Sequence, residues 1–95
     1  MKTAGTCPIS KTIGMLSDSW TMLIMHSLLE SPKRFCELER ALPGISTRTL
    51  TLKLKKMEED KLVVKKDECV YTPTEKGRGL KIVERAMYRY GEQYL

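Results

Sequence analysis

The spacing of apolar residues predicts two helices at the start of the chain. Residues at spacings of four and three indicate a short first helix; they are Ile9, Ile13 and Leu16. Over residues 20–29 the apolar side chains surround the helix on nearly all sides, which is typical of a buried helix. Ser17 or Ser19 is the expected N-cap of this second helix.

A short third helix is predicted over residues 35–42. Phe35, Leu38 and Leu42 lie on one stripe of it. The Pro-Gly pair that follows predicts a tight turn, because Pro stops a helix and Gly adopts backbone conformations that other residues avoid.

A fourth helix is predicted directly after this turn, over about residues 46–59. Its apolar stripe is narrow and consists of Leu50, Leu54 and Met57. The other sides carry mainly Lys, Arg and Thr, so this helix is expected to pack by one edge and to present a basic surface. Ser46 or Thr47 is a suitable N-cap.

The remaining sequence predicts a hairpin and a long last helix. Two short β-like segments, residues 62–65 and 69–71, are separated by only a few residues, which suits a small hairpin. The last helix is expected to begin after Thr74 as N-cap. Gly77 and Gly79 weaken its first turns, and a close contact with another backbone would explain them.

The last helix carries more apolar surface than one small domain can bury. Its apolar residues cover an arc of roughly 200°, whereas one core contact needs roughly 100°. This excess predicts a homodimer formed by the first and last helices. The expected interface residues are Ile9, Ile13, Leu80, Val83, Met87, Tyr90 and Tyr94. The alternative is a surface helix whose tyrosine hydroxyls lie in water.

The order of the elements predicts a winged helix-turn-helix. Two helices joined by a tight turn, the second of them basic, form a helix-turn-helix, and a hairpin directly after it makes the winged form. We therefore expect a mainly α fold with a small β-hairpin wing. A chain of 95 residues has room for one such domain, over residues 1–95.

The charge distribution predicts double-stranded DNA as the partner. The chain has a net charge of +5. Residues 31–66 contain ten Lys or Arg and five acidic residues, so the whole excess falls in the predicted DNA-facing segment. The alternative is a winged helix that only contacts other proteins, and salt-sensitive DNA binding would separate the two.

Several other classes of protein are not expected. Three widely spaced cysteines and one histidine argue against a zinc site or a disulfide scaffold. We therefore predict no cofactor, and we predict a reducing, cytoplasmic location. No signal peptide or membrane span is recognised. No glycine-rich phosphate loop, nucleophile motif or metal cluster indicates an enzyme.

An ordered set of motifs resembles the HxlR family of prokaryotic winged helix-turn-helix regulators, over nearly the whole chain. The motifs are Cys7-Pro8, WTMLI at 20–24, PKRFCEL at 32–38, LPGISTRTL at 42–50, LKKMEEDKLV at 54–63 and TEKG at 74–77. The resemblance implies a homodimeric transcription regulator with an architecture related to the MarR group. It implies that the third and fourth helices form the helix-turn-helix and that the first and last helices form the dimer interface.

Within this frame we assign candidate DNA contacts. They are Lys33, Arg34, Ser46, Thr47, Arg48, Thr49, Thr51, Leu52, Lys55, Lys56, Lys65 and Lys66. Arg48 is expected to contact a base edge, and the threonine hydroxyls could reach bases or phosphates. Ser46, at the start of the helix, suits contact with a phosphate. Its alternative role is simply to cap the helix, and both roles can hold together. The lysines of the helix and wing are expected on phosphates.

Some of these residues have an alternative interpretation. Lys33 and Arg34 could clamp the DNA backbone or form a solvated loop pair. Leu52 could contact a thymine methyl group or be a single exposed leucine. The wing is shorter than is usual in the family and has acids at its tip, so phosphate contact is expected from Lys65 or Lys66 rather than deep insertion into the minor groove.

Cys7 is the candidate sensor residue. The resemblance implies that a cysteine at this place responds to oxidants or electrophiles in several members of the family. A thiol near a helix N-terminus also has a lowered pKa. An inert thiol near a dimer interface is the alternative, and the effector stays unassigned. Cys36 and Cys69 are interpreted as structural.

Overall fold

The structure is a computed structural model, and it describes residues 7–95 of the chain. In chain order the elements are α1 (Pro8–Met15), α2 (Ser19–Glu30), β1 (Lys33–Arg34), α3 (Phe35–Ala41), α4 (Thr47–Glu59), β2 (Val63–Lys66), β3 (Val70–Pro73), α5 (Glu75–Arg78) and α6 (Lys81–Tyr94). A 3-10 turn at Asp67–Cys69 joins β2 to β3. This order confirms the predicted mainly helical fold with a small β wing.

The wing is a three-stranded antiparallel sheet in the order β1-β3-β2. Lys33 pairs with Tyr71 and Arg34 with Val70. The sequence predicts only the two-stranded hairpin, because a strand of two residues is too short to show an alternating pattern. Of the two interpretations of Lys33 and Arg34, the structure excludes the loop pair, because both lie in a strand. Both hairpin strands begin one residue later than predicted.

The core lies around α2, with α3, α4 and the sheet packed against it. Its buried members are Ile24, Met25, Leu28, Leu38, Leu42, Leu50, Leu54, Met57, Leu62, Val63, Tyr71 and Leu80. Burying one such side chain contributes about 1.5–3 kcal/mol. One side of α2 stays exposed, however, at Leu23 and His26, so this helix is less completely buried than its apolar pattern predicts.

Asp18 begins α2 and also connects it to α4. Its carboxylate accepts hydrogen bonds from the N–H and hydroxyl of Thr21, both at 2.9 Å, and from Lys53 Nζ at 2.9 Å. The predicted caps, Ser17 and Ser19, are thus wrong by one position. Burial opposes ionisation of Asp18, but the donors from Lys53 and Thr21 outweigh it and hold its pKa below the usual value.

The predicted long last helix is divided in two. The N–H of Leu80 donates to the carbonyl of Gly77, three residues back, and the helix resumes at Lys81 as α6. Gly77 is buried against the residue directly before β2, where a Cβ atom would lie 2.1 Å from the carbonyl oxygen of Leu62. This close contact between backbones is the one that the early glycines predict. Thr74 caps α5, as expected, by accepting the N–H of Gly77 at 3.0 Å.

Candidate nucleic-acid interface

The turn between α3 and α4 sets the direction of the predicted recognition helix. Gly44 has a φ of 92°, a conformation that side chains with a Cβ rarely adopt. Ser46 then caps α4 by accepting the N–H of Thr49 at 3.0 Å. Leu38 and Leu42 anchor α3 in the core just before the turn. The two helices therefore form the predicted helix-turn-helix.

The outward face of α4 is exposed and mainly basic. Its exposed residues are Arg48, Leu52, Lys55, Lys56 and Glu59, whereas the apolar stripe opposite them is buried. Within residues 7–95 Arg48 and Lys55 make no ion pair, so their charges are available to a ligand. Lys56 Nζ lies 3.2 Å from Asp60 Oδ1, a surface pair one helical turn away. Leu52 is 54% exposed, which both interpretations of this residue require.

The threonine hydroxyls of α4 already have partners inside the protein. Thr47 donates to Glu39 Oε2 at 2.6 Å, and Thr51 donates to the carbonyl of Thr47 at 2.8 Å. Thr49 accepts from the hydroxyl of Ser46 at 2.9 Å. These contacts supply a local reason for three threonines in a helix, beside the predicted DNA contacts.

The wing turn is held against β1. Arg34 Nη2 donates to Glu68 Oε2 at 2.8 Å, which places a positive charge beside the acidic tip. Lys65 Nζ lies 6.0 Å above the ring of Tyr71, its cross-strand partner, and Lys66 follows it at the exposed end of β2. Both wing lysines are thus on the surface, beside an acidic tip.

The side chain of Lys33 folds back onto the end of α2. Its Nζ donates to the carbonyl of Ser27 at 2.7 Å and lies 3.3 Å from Glu30 Oε1. Its side chain is only 14% exposed. The ammonium group therefore stabilises the carbonyl end of α2, where a helix dipole favours positive charge, and a contact of Lys33 with DNA stays a prediction.

The apolar surfaces of α1 and α6 are largely uncovered. Ile9 and Ile13 are each 61% exposed, and Met87, Tyr90 and Tyr94 are also exposed. Leu80 and Val83 differ from the other predicted interface residues. Leu80 is buried in the core and Val83 packs against it, so both stabilise their own subunit.

A groove of about 710 Å³ between α2 and α6 was missed by the sequence analysis. Met22, Leu23, Met87 and Tyr88 contribute to its lining. His26 and Glu84 also line it, and His26 Nδ1 lies 2.5 Å from Glu84 Oε2. Because Glu84 is 58 positions from His26, no periodic spacing along the chain connects the two, and their contact could not be predicted from the sequence.

Cys7 is the N-cap residue of α1 and is buried. Its thiol makes no regular capping hydrogen bond, but the backbone N–H groups of Ser10 and Ile9 lower its pKa, more than burial raises it. This agrees with the predicted effect of a helix N-terminus on a thiol. Cys36 and Cys69 are free and exposed, so neither packs in the core, and a structural role for them stays a prediction.

Residues 7–95 contain no cluster of three or more His, Cys, Asp or Glu side chains placed to hold a metal ion. None of the helices in this part of the chain is both long and apolar enough to cross a bilayer.

The turn, the basic outward face of α4 and the adjoining sheet define a winged helix-turn-helix protein. The match to the HxlR-like helix-turn-helix family extends over residues 15–95, and the chain belongs to this family. It is a transcriptional regulator of the helix-turn-helix type.

Three similar proteins illustrate the relationship. The HTH-type transcriptional regulator YodB from Bacillus subtilis (strain 168) is 33% identical over 95 residues, which cover 93% of this chain and 85% of YodB. The crystal structure of quinone-bound YodB superposes with a TM-score of 0.83 at 35% identity, over 93% of this chain and 100% of that chain. A protein from Porphyromonas gingivalis W83 assigned to the MarR family of regulators gives a TM-score of 0.93 at 28% identity, over 100% and 99% of the two chains. The redox regulator HypR in its oxidised form gives 0.84 at 29% identity, over 94% and 98%.

Proposed function

We propose that the protein is a sequence-specific regulator that binds double-stranded DNA as a homodimer, with α4 in the major groove. The outward face of α4 carries this proposal. It projects exposed cations from a helix whose opposite side is fixed in the core, and a helix of this width fits the major groove. Arg48 is placed near the start of the helix, where side chains reach base edges. We assign the protein no catalytic activity.

The exposed apolar surfaces of α1 and α6 support the homodimer. A monomer rarely leaves so many large apolar side chains in water along two helices, and burying them against a second copy removes this cost. Two copies also place two recognition helices on one duplex. These would need to lie about 34 Å apart to enter successive major grooves.

A thiol response through Cys7 is part of the proposal. The amides at the start of α1 favour the thiolate, which is the form that reacts with oxidants and electrophiles. The relatives include a redox regulator and a regulator solved with bound quinone. Because Cys7 begins one of the two elements assigned to the dimer interface, an adduct there would alter the separation of the recognition helices.

The test is to sequence the fragments of the organism's own genome that the purified protein retains at moderate salt. We expect an enriched inverted repeat whose half-sites are centred about 10–10.5 base pairs apart, with affinity that falls as salt increases. Fragments without a common sequence, or binding that is insensitive to salt, would favour the alternative of a winged helix that only contacts proteins.

A further inference from the structure

We propose that Cys36 and Cys69 form a second thiol site, an intramolecular redox pair that joins the start of α3 to the wing turn. The proposal does not depend on DNA binding or on Cys7. It rests on the sheet register, on the exposure of both thiols and on the backbone of the turn.

The sheet brings the two cysteines to the same end of the fold. Arg34 and Val70 are Cα partners in the β1–β3 ladder. Cys36 lies two residues beyond Arg34, and Cys69 one residue before Val70, so both lie past the last paired position at this end. The contact between Arg34 and Glu68 at 2.8 Å shows that side chains from the two segments meet there.

Both thiols can be reached from solvent, since both side chains are exposed. The wing turn also has room to adjust. Glu68 and Cys69 have φ values of 62° and 61°, a left-handed conformation that residues with a Cβ adopt at a cost. A disulfide needs Cα atoms less than about 7 Å apart, and a change of backbone conformation in this turn would let Cys69 meet that requirement with Cys36.

The chemistry needs one peroxide molecule. One thiolate attacks a peroxide oxygen, the O–O bond breaks, and a sulfenic acid and water form. The second thiol attacks the sulfenic sulfur, the S–S bond forms, and a second water leaves. The two sulfurs together lose two electrons and two protons, and hydrogen peroxide is reduced to two waters.

A closed pair would attach the wing turn covalently to the first turn of α3. Lys65 and Lys66 lie immediately before that turn, and α3 leads into the recognition helix. The bond would therefore fix the position of the wing lysines relative to α4.

The pair is tested in the full-length Cys7→Ser protein, so that only these two thiols remain. The protein is treated with one equivalent of hydrogen peroxide, denatured without reductant, and analysed by thiol titration, intact mass and a non-reducing gel. We expect both thiols to disappear together, a mass decrease of about 2 Da for two hydrogens, and migration as a single chain. Peptide mapping should find residues 36 and 69 in one linked fragment, and a reductant should restore both thiols.

The matched control is the double variant Cys7→Ser/Cys36→Ser, whose one remaining thiol has no partner within the chain. It should keep that thiol or gain oxygen. The proposal is overturned if the Cys7→Ser protein retains both thiols, gains oxygen on separate sulfurs, or forms disulfides between chains instead. It is equally overturned if the control shows the same loss of two hydrogens.

Discussion

Arg48 and Lys55 are neighbouring exposed cations of α4, but we expect them to act on DNA in different ways. Arg48 near the helix start is expected to read a base, so Arg48→Ala should reduce discrimination between operator and random DNA by about 1–3 kcal/mol. Lys55→Ala should weaken binding to both alike and reduce the slope of log affinity against log salt by about one unit. Fluorescence anisotropy with both duplexes over a salt series measures this. Equal effects of the two variants on operator and random DNA would mean that the outward face of α4 is wrongly assigned as the surface that reads the sequence.

Gly77 tests whether the contact between α5 and Leu62 is as tight as it is in the structure. An added Cβ would lie 2.1 Å from a carbonyl oxygen that belongs to the backbone and cannot rotate away. We expect Gly77→Ala to lower the free energy of unfolding by about 1–3 kcal/mol. Gly14→Ala is the matched control. It lies in α1 with nothing within 4 Å of its added Cβ, and should gain about 0.5–1 kcal/mol. Urea unfolding measures the free energy of unfolding of both variants. A Gly77→Ala protein as stable as wild type would contradict the close contact between Gly77 and Leu62.

Cys7 should react as a thiolate at lower pH than an ordinary cysteine. The amides of Ser10 and Ile9 lower its pKa. At a pH below the usual pKa of a thiol, a larger fraction of Cys7 is therefore ionised in the folded protein than of an ordinary cysteine. We expect the alkylation rate of Cys7, followed by mass spectrometry, to reach half its maximum at a lower pH in the folded protein than in urea. Alkylation should also weaken operator binding in wild type but not in Cys7→Ser. A fully alkylated wild type that binds normally would place any signal elsewhere.

At the scale of elements, the carboxylate of Asp18 holds the start of α2 against α4. Its folded pKa is lowered, so its contribution to stability is fully present above the unfolded pKa and is lost as pH falls through the folded pKa. Asp18→Asn keeps a good N-cap but loses the charge that faces Lys53. We expect this variant to be less stable than wild type at pH 7, by urea unfolding, and the difference to shrink as pH falls through the folded pKa. A difference that persists at low pH would show that the charge is not its cause.

The elements that sequence periodicity predicts well are those that bury one continuous stripe. In α4 the i, i+4, i+7 spacing of Leu50, Leu54 and Met57 corresponds directly to the side that is buried. The misses arise where partners are distant in sequence or where an element is short. The role of Lys33 depends on carbonyls at the end of α2, and β1 exists only because β3 pairs with it.

In the candidate site, too, some features follow from the helical period and others depend on partners distant in sequence. Exposure of the basic face of α4 follows from its own helical period and could be predicted. The partners of its threonines could not, because the contact of Thr47 with Glu39 depends on how α3 and α4 cross. Leu80 was assigned to the dimer because its spacing fits the apolar arc. The turn before α6 directs it into its own core instead.

At the scale of the whole molecule, the homodimer can be tested without DNA. Sedimentation at micromolar concentration should give twice the monomer mass of 10.9 kDa. Ile13→Glu should weaken association by at least about 100-fold. The substitution is present twice in a two-fold interface, and each buried isoleucine contributes about 1.5–3 kcal/mol. Lys11→Glu, exposed on the other side of α1, is the control and should leave association nearly unchanged. A wild-type monomer would instead make the exposed face of α6 a simple solvated surface.

The interruption at Gly79 and Leu80 has a mechanical consequence. On one side α5 is fixed, because Gly77 packs directly on the backbone of Leu62, before β2. On the other side α6 runs for 14 residues, or about 21 Å, and none of its residues is buried. Beyond the packing of Val83 on the core and the contact of Glu84 with His26, α6 thus extends away from the edge of the core. A change of about 5° in the angle at that corner would carry the far end of α6 through about 2 Å over such a length, while the core packing around Leu62 stayed as it is.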